Sequence, residues 1–304
     1  MKRIVIIGCG NVGLEYLKKL CMIDITLDIS LIDINEDRLT GEILDLEQSL
    51  VYRNSNIRIR LGNYKDCDNA DIVVITAGVP QAPKDRMSDL EKANEIVVDI
   101  SNRLRETSFK GIILVASNPM EVITELIAHY TDYPYNKVIG TGTMLDTARL
   151  KSLISKRINV KPNDINAYVL GEHGNSQFVA WSNANIGLEN LSKFLSLDDK
   201  EDLEYETRHM GETIIKCKGY TSDGVALCLL EITLCILYDL KKVYPLSNYN
   251  TTYDVYLSTP CIIGKNGIEK VINIKLTSEE EKKLESSAVV ISEAIDKILP
   301  KELY

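Results

Sequence analysis

The chain has 304 residues, 45% hydrophobic and 26% charged, a composition of a globular protein long enough for two packed domains. Asp and Glu number 44 against 35 Lys and Arg, giving a net charge of −9 with no long basic cluster, so nucleic acid is not an expected partner. No uninterrupted apolar stretch reaches spanning length, and the opening residues lead straight into a strand without an apolar leader. No membrane association is therefore expected, and the cytoplasm is the expected location.

Arg3–Ile7 is a short apolar run that stops at Gly8, and Val12–Met22 follows with helical spacing. Strands are predicted over Ile25–Asp33, Ile57–Leu61, Ile72–Thr76 and Ile112–Ala116, and helices over Asp37–Leu50, Asp89–Glu106 and Pro119–Tyr130. This alternation with short connections predicts a Rossmann-type, doubly wound parallel sheet in an α/β protein. From about Thr141 the pattern changes. Helices over Met144–Arg157, Asp198–Cys217 and Ser222–Leu240 alternate with a strand at Ile165–Leu170 and a strand-rich stretch at Asp254–Ile274, and a charged helix over Ser278–Leu299 closes the chain. The expected division is a dinucleotide-binding domain at residues 1–140 and an α+β catalytic domain at 141–304, with helix 222–240 at their interface.

The seven cysteines, Cys9, Cys21, Cys67, Cys217, Cys228, Cys235 and Cys261, include no Cys-x-x-Cys pair. They read as free thiols in a reducing compartment, none of them a nucleophile, and no metal site is expected.

Gly8-Cys9-Gly10-Asn11-Val12-Gly13 is a G-x-G-x-x-G turn between a strand and a helix. The first glycine permits the tight turn, the second admits a pyrophosphate to the backbone, and the third lets helix and strand pack closely. Asp33 ends the second strand, where a carboxylate accepts hydrogen bonds from both adenosine ribose hydroxyls and repels a 2′-phosphate. NAD is the expected cofactor.

Of the three histidines, His129 and His209 lie on polar helical segments and are expected to be solvated. His173 follows a buried-looking strand between Gly171-Glu172 and Gly174, where an imidazole can reach a cleft. Asp146 and Arg149, spaced i, i+3, share a helix face. The pair can form a plain surface ion pair, or the acid can orient a histidine while the arginine clamps a substrate carboxylate through two parallel hydrogen bonds.

With these motifs in this order, the chain resembles the L-lactate/malate dehydrogenase family over nearly its whole length. The likeness is carried by Gly8–Gly13 with Asp33, Asp45-Leu46, Thr76-Ala77-Gly78, Ser117-Asn118-Pro119, Leu145-Asp146-Thr147-Ala148-Arg149, Gly171-Glu172-His173-Gly174 and Lys218-Gly219-Tyr220-Thr221. The resemblance implies reversible hydride transfer between NADH and C2 of a small 2-oxo acid. His173 would exchange the proton, Asp146 would stabilise its imidazolium form, and Arg149 would hold the carboxylate. Asn118 and Thr221 would face nicotinamide and substrate, and Val225 would back the nicotinamide ring. Ala77–Leu90 would form a lid in which Arg86 polarises the carbonyl and Gln81 selects the substrate. A neutral Gln81 lacks the charge that a second carboxylate needs, so monocarboxylates are favoured and malate dehydrogenase is the less favoured reading.

Two departures loosen the match to lactate dehydrogenase proper. The usual lid arginine slot holds Met87, with Arg86 one place earlier, and Lys84 stands where a glycine is common; a similar Asp-Arg-x-x-x-Leu arrangement occurs in the L-2-hydroxyisocaproate dehydrogenase branch. Asp223 stands where an uncharged residue is common and reads either as a solvated acid at a helix start or as a pocket residue. Lys151 and Asn166 fall at the two positions where sugar bisphosphate-activated relatives carry an Arg and a His, so little or no activation is expected. The resemblance also implies a homotetramer or homodimer. The reading from another class is a nucleotide-binding homologue without chemistry, against which Asp146, Arg149 and His173 stand.

Overall fold

The computed structural model describes residues 1–53, 56–79 and 90–299. In the first half, β1 (Lys2–Ile7), α1 (Asn11–Cys21), β2 (Thr26–Ile32), α2 (Glu36–Leu50), β3 (Asn56–Leu61), β4 (Ile72–Ile75), α3 (Leu90–Arg105), β5 (Ile112–Val115), α4 (Met120–Thr131) and β6 (Val138–Gly140) follow one another in regular alternation. The six strands are parallel in the order 3-2-1-4-5-6. The order reverses between β1 and β4, the place where such sheets open a crevice at their carboxyl ends.

The strands read as aliphatic runs because both faces are covered. Ile4 and Ile6 of β1 face a core built with α1 and α2, whereas Val5 and Ile7 face a second core built with α3 and α4. The predicted boundaries hold to within a residue or two here.

The second half begins with α5 (Met144–Ile158), followed by the two-residue strands β7 (Ile165–Asn166), β8 (Val169–Leu170), β9 (Phe178–Val179), β10 (Asn185–Ile186) and β11 (Glu189–Asn190). Then come α6 (Leu197–Lys218), α7 (Asp223–Tyr238), β12 (Lys242–Asn250), β13 (Val255–Gly264), β14 (Gly267–Val271) and α8 (Ser278–Ile298). A small core of its own gathers Leu150 and Ile154 of α5, Ile165, Val169 and Leu203. The single strand expected over Ile165–Leu170 is two: β7 pairs with β10 and β8 with β9. Side chains of α5 take up the backbone there, since Thr147 Oγ1 accepts from Val169 N at 2.9 Å and Thr143 Oγ1 donates to Val169 O at 2.6 Å.

Three strands of the second half extend the first sheet. β12 runs antiparallel to β6 through Ser247 opposite Gly140, and β13 and β14 continue the sheet to nine strands. Gly140 is required at this seam, because a Cβ on it would lie 2.7 Å from Ser247 Cβ. The residues of β12 carried no strand prediction. Pro245 argues against a sheet interior, yet it sits opposite Pro260 of β13, a register position where neither residue has to donate to the other. α7 lies along α1, with the buried Tyr16 hydroxyl and Thr233 Oγ1 hydrogen-bonded at 2.6 Å, and α8 covers the opposite face.

All seven cysteines are free, Cys217 exposed and the other six buried. Among the described residues, no helix is long and apolar enough to cross a membrane.

Candidate active site

The glycine loop leaves β1 at the switch point and turns under the segment that follows β4. Gly8 has φ +89°, and a Cβ there would lie 2.3 Å from Ala77 N. The Thr76 hydroxyl donates to the Gly8 carbonyl, and Ser117 Oγ donates to Ala77 O at 2.6 Å, so Thr76, Ala77, Gly78 and Ser117 are tied into one rim with the loop. Gly10 caps α1 without any side-chain bond to the first turn, which leaves the amide groups of Asn11, Val12 and Gly13 for an anion. A Cβ on Gly10 would meet nothing within 4 Å, so open space lies where a pyrophosphate would approach. Half-buried Asp33 is anchored at the same rim, Oδ2 accepting from Cys9 N at 2.6 Å and Oδ1 from Asn35 N at 3.0 Å. These features fit NAD.

The second cluster is positioned by the clamp between α5 and β8. Thr143 and Thr147, one turn apart, bind both backbone groups of Val169, and Asp146 between them is carried towards the loop that follows Leu170. Asp146 is 1% exposed. Its Oδ2 lies 2.5 Å from His173 Nδ1, and its Oδ1 accepts from Arg149 Nη1 at 2.9 Å. Burial works to raise the Asp146 carboxyl, but His173 and Arg149 together hold it below the usual carboxylate range. The ion pair foreseen between Asp146 and Arg149 exists, yet it lies inside the protein and is shared with the imidazole.

A cavity of about 700 Å³ joins the two clusters. Val12 of the glycine loop, Asn118, Asp146, Arg149, His173, Thr221 and Val225 all line it. Asn118 Oδ1 is buried with no partner among the described residues, an acceptor still to be satisfied by whatever the cavity takes up. Another cavity, about 730 Å³, lies at the opposite ends of the strands beside Lys2, Thr26 and Asn56, and carries no comparable chemistry.

Gln81 and Arg86 lie outside the described residues. His129 is exposed, and His209 pairs with Glu212 at 3.1 Å. Asp223 starts α7, is exposed, pairs with Lys218 at 2.5 Å and Lys19 at 3.7 Å, and stays out of the cavity wall. Of its two readings the solvated helix-end acid holds. Lys151 sits over the Tyr168 ring at 5.8 Å, and burial lowers its pKa.

Glu121 was not among the residues expected at the site. It is 1% exposed on the first turn of α4, where an acid ordinarily reads as a solvated partner of the helix dipole. Instead Oε2 accepts from His173 N at 3.0 Å and Oε1 from Ser258 Oγ at 2.7 Å. Only its place directly after Asn118-Pro119-Met120 hinted at a site.

Comparison with known proteins agrees with this geometry. The lactate/malate dehydrogenase NAD-binding domain matches residues 2–140, and the alpha/beta C-terminal domain of the same family matches residues 143–302. The L-lactate dehydrogenase of Borrelia turicatae is 35% identical over 97% of this chain and 98% of its own. L-lactate dehydrogenase 2 of Clostridium acetobutylicum is 37% identical over 94% of each. Among solved structures, a lactate dehydrogenase from a deep-sea metagenome of the Medee basin superposes with a TM-score of 0.91 at 32% identity, covering 97% of this chain and 98% of that one. With a glycine-loop cofactor rim and an Asp–His–Arg cluster opening on one cavity, and with relatives matched along nearly its full length, the chain belongs to the lactate/malate dehydrogenase family.

Proposed function

We propose that this chain is an NAD-dependent L-2-hydroxyacid dehydrogenase interconverting a monocarboxylic 2-oxo acid, pyruvate first of all, and its L-2-hydroxy acid. The observation that carries the reading is Asp146 joined at once to His173 and Arg149 on the wall of a cavity that also reaches the glycine loop.

Gly8, Gly10, Asn11, Val12, Gly13 and Asp33 with Thr76, Ala77, Gly78 and Ser117 would hold NADH, which when bound would supply the hydride that C2 receives. On the same cavity wall, Val225 and Asn118 would place the nicotinamide and the substrate oxygen, with Thr221 beside them. With Nδ1 committed to Asp146, proton exchange falls to Nε2 of His173. The imidazolium donates to the C2 oxygen during reduction, and the neutral ring takes the hydroxyl proton during oxidation. Asp146 favours the charged ring and fixes its tautomer, while Arg149 holds the C1 carboxylate as a bidentate pair. Arg86 stabilises the developing alkoxide, and Gln81 offers no charge to a second carboxylate. Residues 1–140 act as the cofactor domain and 141–304 as the substrate domain. The enzyme works in the cytoplasm as a homotetramer, or as a homodimer.

The test is NADH oxidation with pyruvate, 2-oxoisocaproate, phenylpyruvate and oxaloacetate in parallel. Pyruvate is expected to lead. A preference for 2-oxoisocaproate moves the enzyme to the hydroxyisocaproate branch, a preference for oxaloacetate overturns the Gln81 argument, and no turnover at all overturns the enzymatic reading.

A further inference from the structure

We propose that Glu121 is a positioning residue for His173, its buried carboxyl group fixing the histidine loop through the His173 backbone N–H and adding a second acidic group beside Asp146. The proposal rests on the reading of His173 as the acid/base group.

Glu121 stands at a junction of four segments. Oε2 holds the backbone N–H of His173 itself, and Oε1 holds Ser258 Oγ of β13. Ser258 Oγ accepts in turn from Thr143 N at 3.1 Å, at the start of the helix that carries Asp146. Ser258 also exchanges two backbone hydrogen bonds with Gly171, at 3.0 and 2.9 Å, two residues before the histidine. One carboxylate therefore joins α4, the His173 loop, β13 and α5. A buried acid with no catalytic duty is costly, and its two bonds leave part of that cost unmet. Burial pushes the Glu121 carboxyl up to about 7, with His173 and Ser258 pulling it back down. Attraction between two groups is mutual, so a carboxylate that His173 helps to ionise helps His173 to stay protonated, and the two titrate as a coupled pair.

Other charged groups around the pair have their own places. Asp146 and Arg149 face the imidazole from α5, and Glu172 adjoins it on its own loop with an opposing effect on Glu121. Arg208 and Glu212 line the cavity from α6, and Glu293 and Lys297 line it from α8.

The experiment is a histidine-ring NMR titration of the NADH-free enzyme, together with pH profiles of kcat/KM for pyruvate reduction. The chain has only three histidines, and the His173→Asn spectrum identifies the resonance of His173. Glu121→Gln keeps an acceptor for His173 N and removes the charge. Its His173 pKa is expected to fall by roughly one unit, the scale of a neighbouring opposite charge, and the alkaline limb of kcat/KM should move down equally while NADH affinity is retained. Ser258→Ala, which takes a donor from the carboxylate, should move both in the same direction by less. A purely structural acid would lower kcat without moving either titration. If both variants titrate His173 as the wild type does, the proposal is wrong. If the wild type turns over no 2-oxo acid, the acid/base reading fails, and the NMR titration still decides whether Glu121 and His173 are coupled.

Discussion

Asp146→Asn tests the site most directly, because Asp146 serves two donors at once. Oδ2 takes His173 Nδ1 and Oδ1 takes Arg149 Nη1, and Asn has one acceptor oxygen for the two. At 1% exposure no bulk water replaces the lost bond. A hydrogen bond to a charged group contributes about 1.5–3 kcal/mol net. At about 1.4 kcal/mol per pKa unit, the imidazolium should lose one to two units of stabilisation. The sign is fixed by which form the carboxylate favours. Removing a negative charge lowers the His173 pKa, and an Arg149 left without its anion pushes the same way. Reduction needs the imidazolium, so the alkaline limb of kcat/KM for pyruvate should move down by about one to two units. Above both limbs the variant should be about 10- to 100-fold slower, and below both it should approach the wild type. The KM for pyruvate should also rise as Arg149 loses its anchor. Stopped-flow NADH oxidation across pH gives the profile, and NADH fluorescence titration checks cofactor binding. A uniform drop in rate with the limb unmoved would refute the claim that Asp146 acts through the charge of His173.

Asp33→Ser removes the acid anchored to Cys9 N, and should lower the NADH-to-NADPH ratio of kcat/KM by roughly tenfold or more, the value of one charged hydrogen bond. A Cβ on Gly211 would lie 3.4 Å from Arg149 Nη2, so Gly211→Val should raise the pyruvate KM with a smaller change in kcat and unchanged NADH affinity. Glu125, apart from the catalytic groups, is pushed up to about 7 by burial, whereas the unfolded chain would titrate it near 4.5. A folded-state carboxyl pKa above the unfolded value costs stability as pH rises through that window and leaves the loss in place above it. Glu125→Gln, which keeps an acceptor for Tyr256 N, should therefore raise the melting temperature at pH 8 by several degrees, much less at pH 5, with turnover unaltered. Fructose 1,6-bisphosphate should change the rate little, since Lys151 is engaged over Tyr168 and Asn166 Nδ2 donates to Asn185 Oδ1 at 3.1 Å; large activation in a steady-state assay would refute this.

Much of the first half was legible because its signals are local. Glycines at fixed spacing, an acid at a strand end and aliphatic runs buried on both faces each announce themselves within a few residues. The meeting of Asp146 with His173 is not local. The two stand 27 positions apart, brought together by two threonine hydroxyls on Val169, and the residues alone left a surface ion pair as an equal reading until the family resemblance favoured the meeting. Glu121 was illegible because the same letter at a helix start ordinarily belongs in solvent, and its burial depends on β13 from the far end of the chain. β12 escaped because Pro245 breaks the pattern that marks a strand, while its partner Pro260 makes the break harmless.

The seam between Gly140 and Ser247 has a mechanical consequence. The halves before and after Gly140 share one nine-stranded sheet, so a hinge motion between them would have to bend or break that sheet. A chain cut after Gly140 would carry a naked edge on β6, inviting the wrong partner strand. The two halves should therefore melt together and fail to survive as independent fragments.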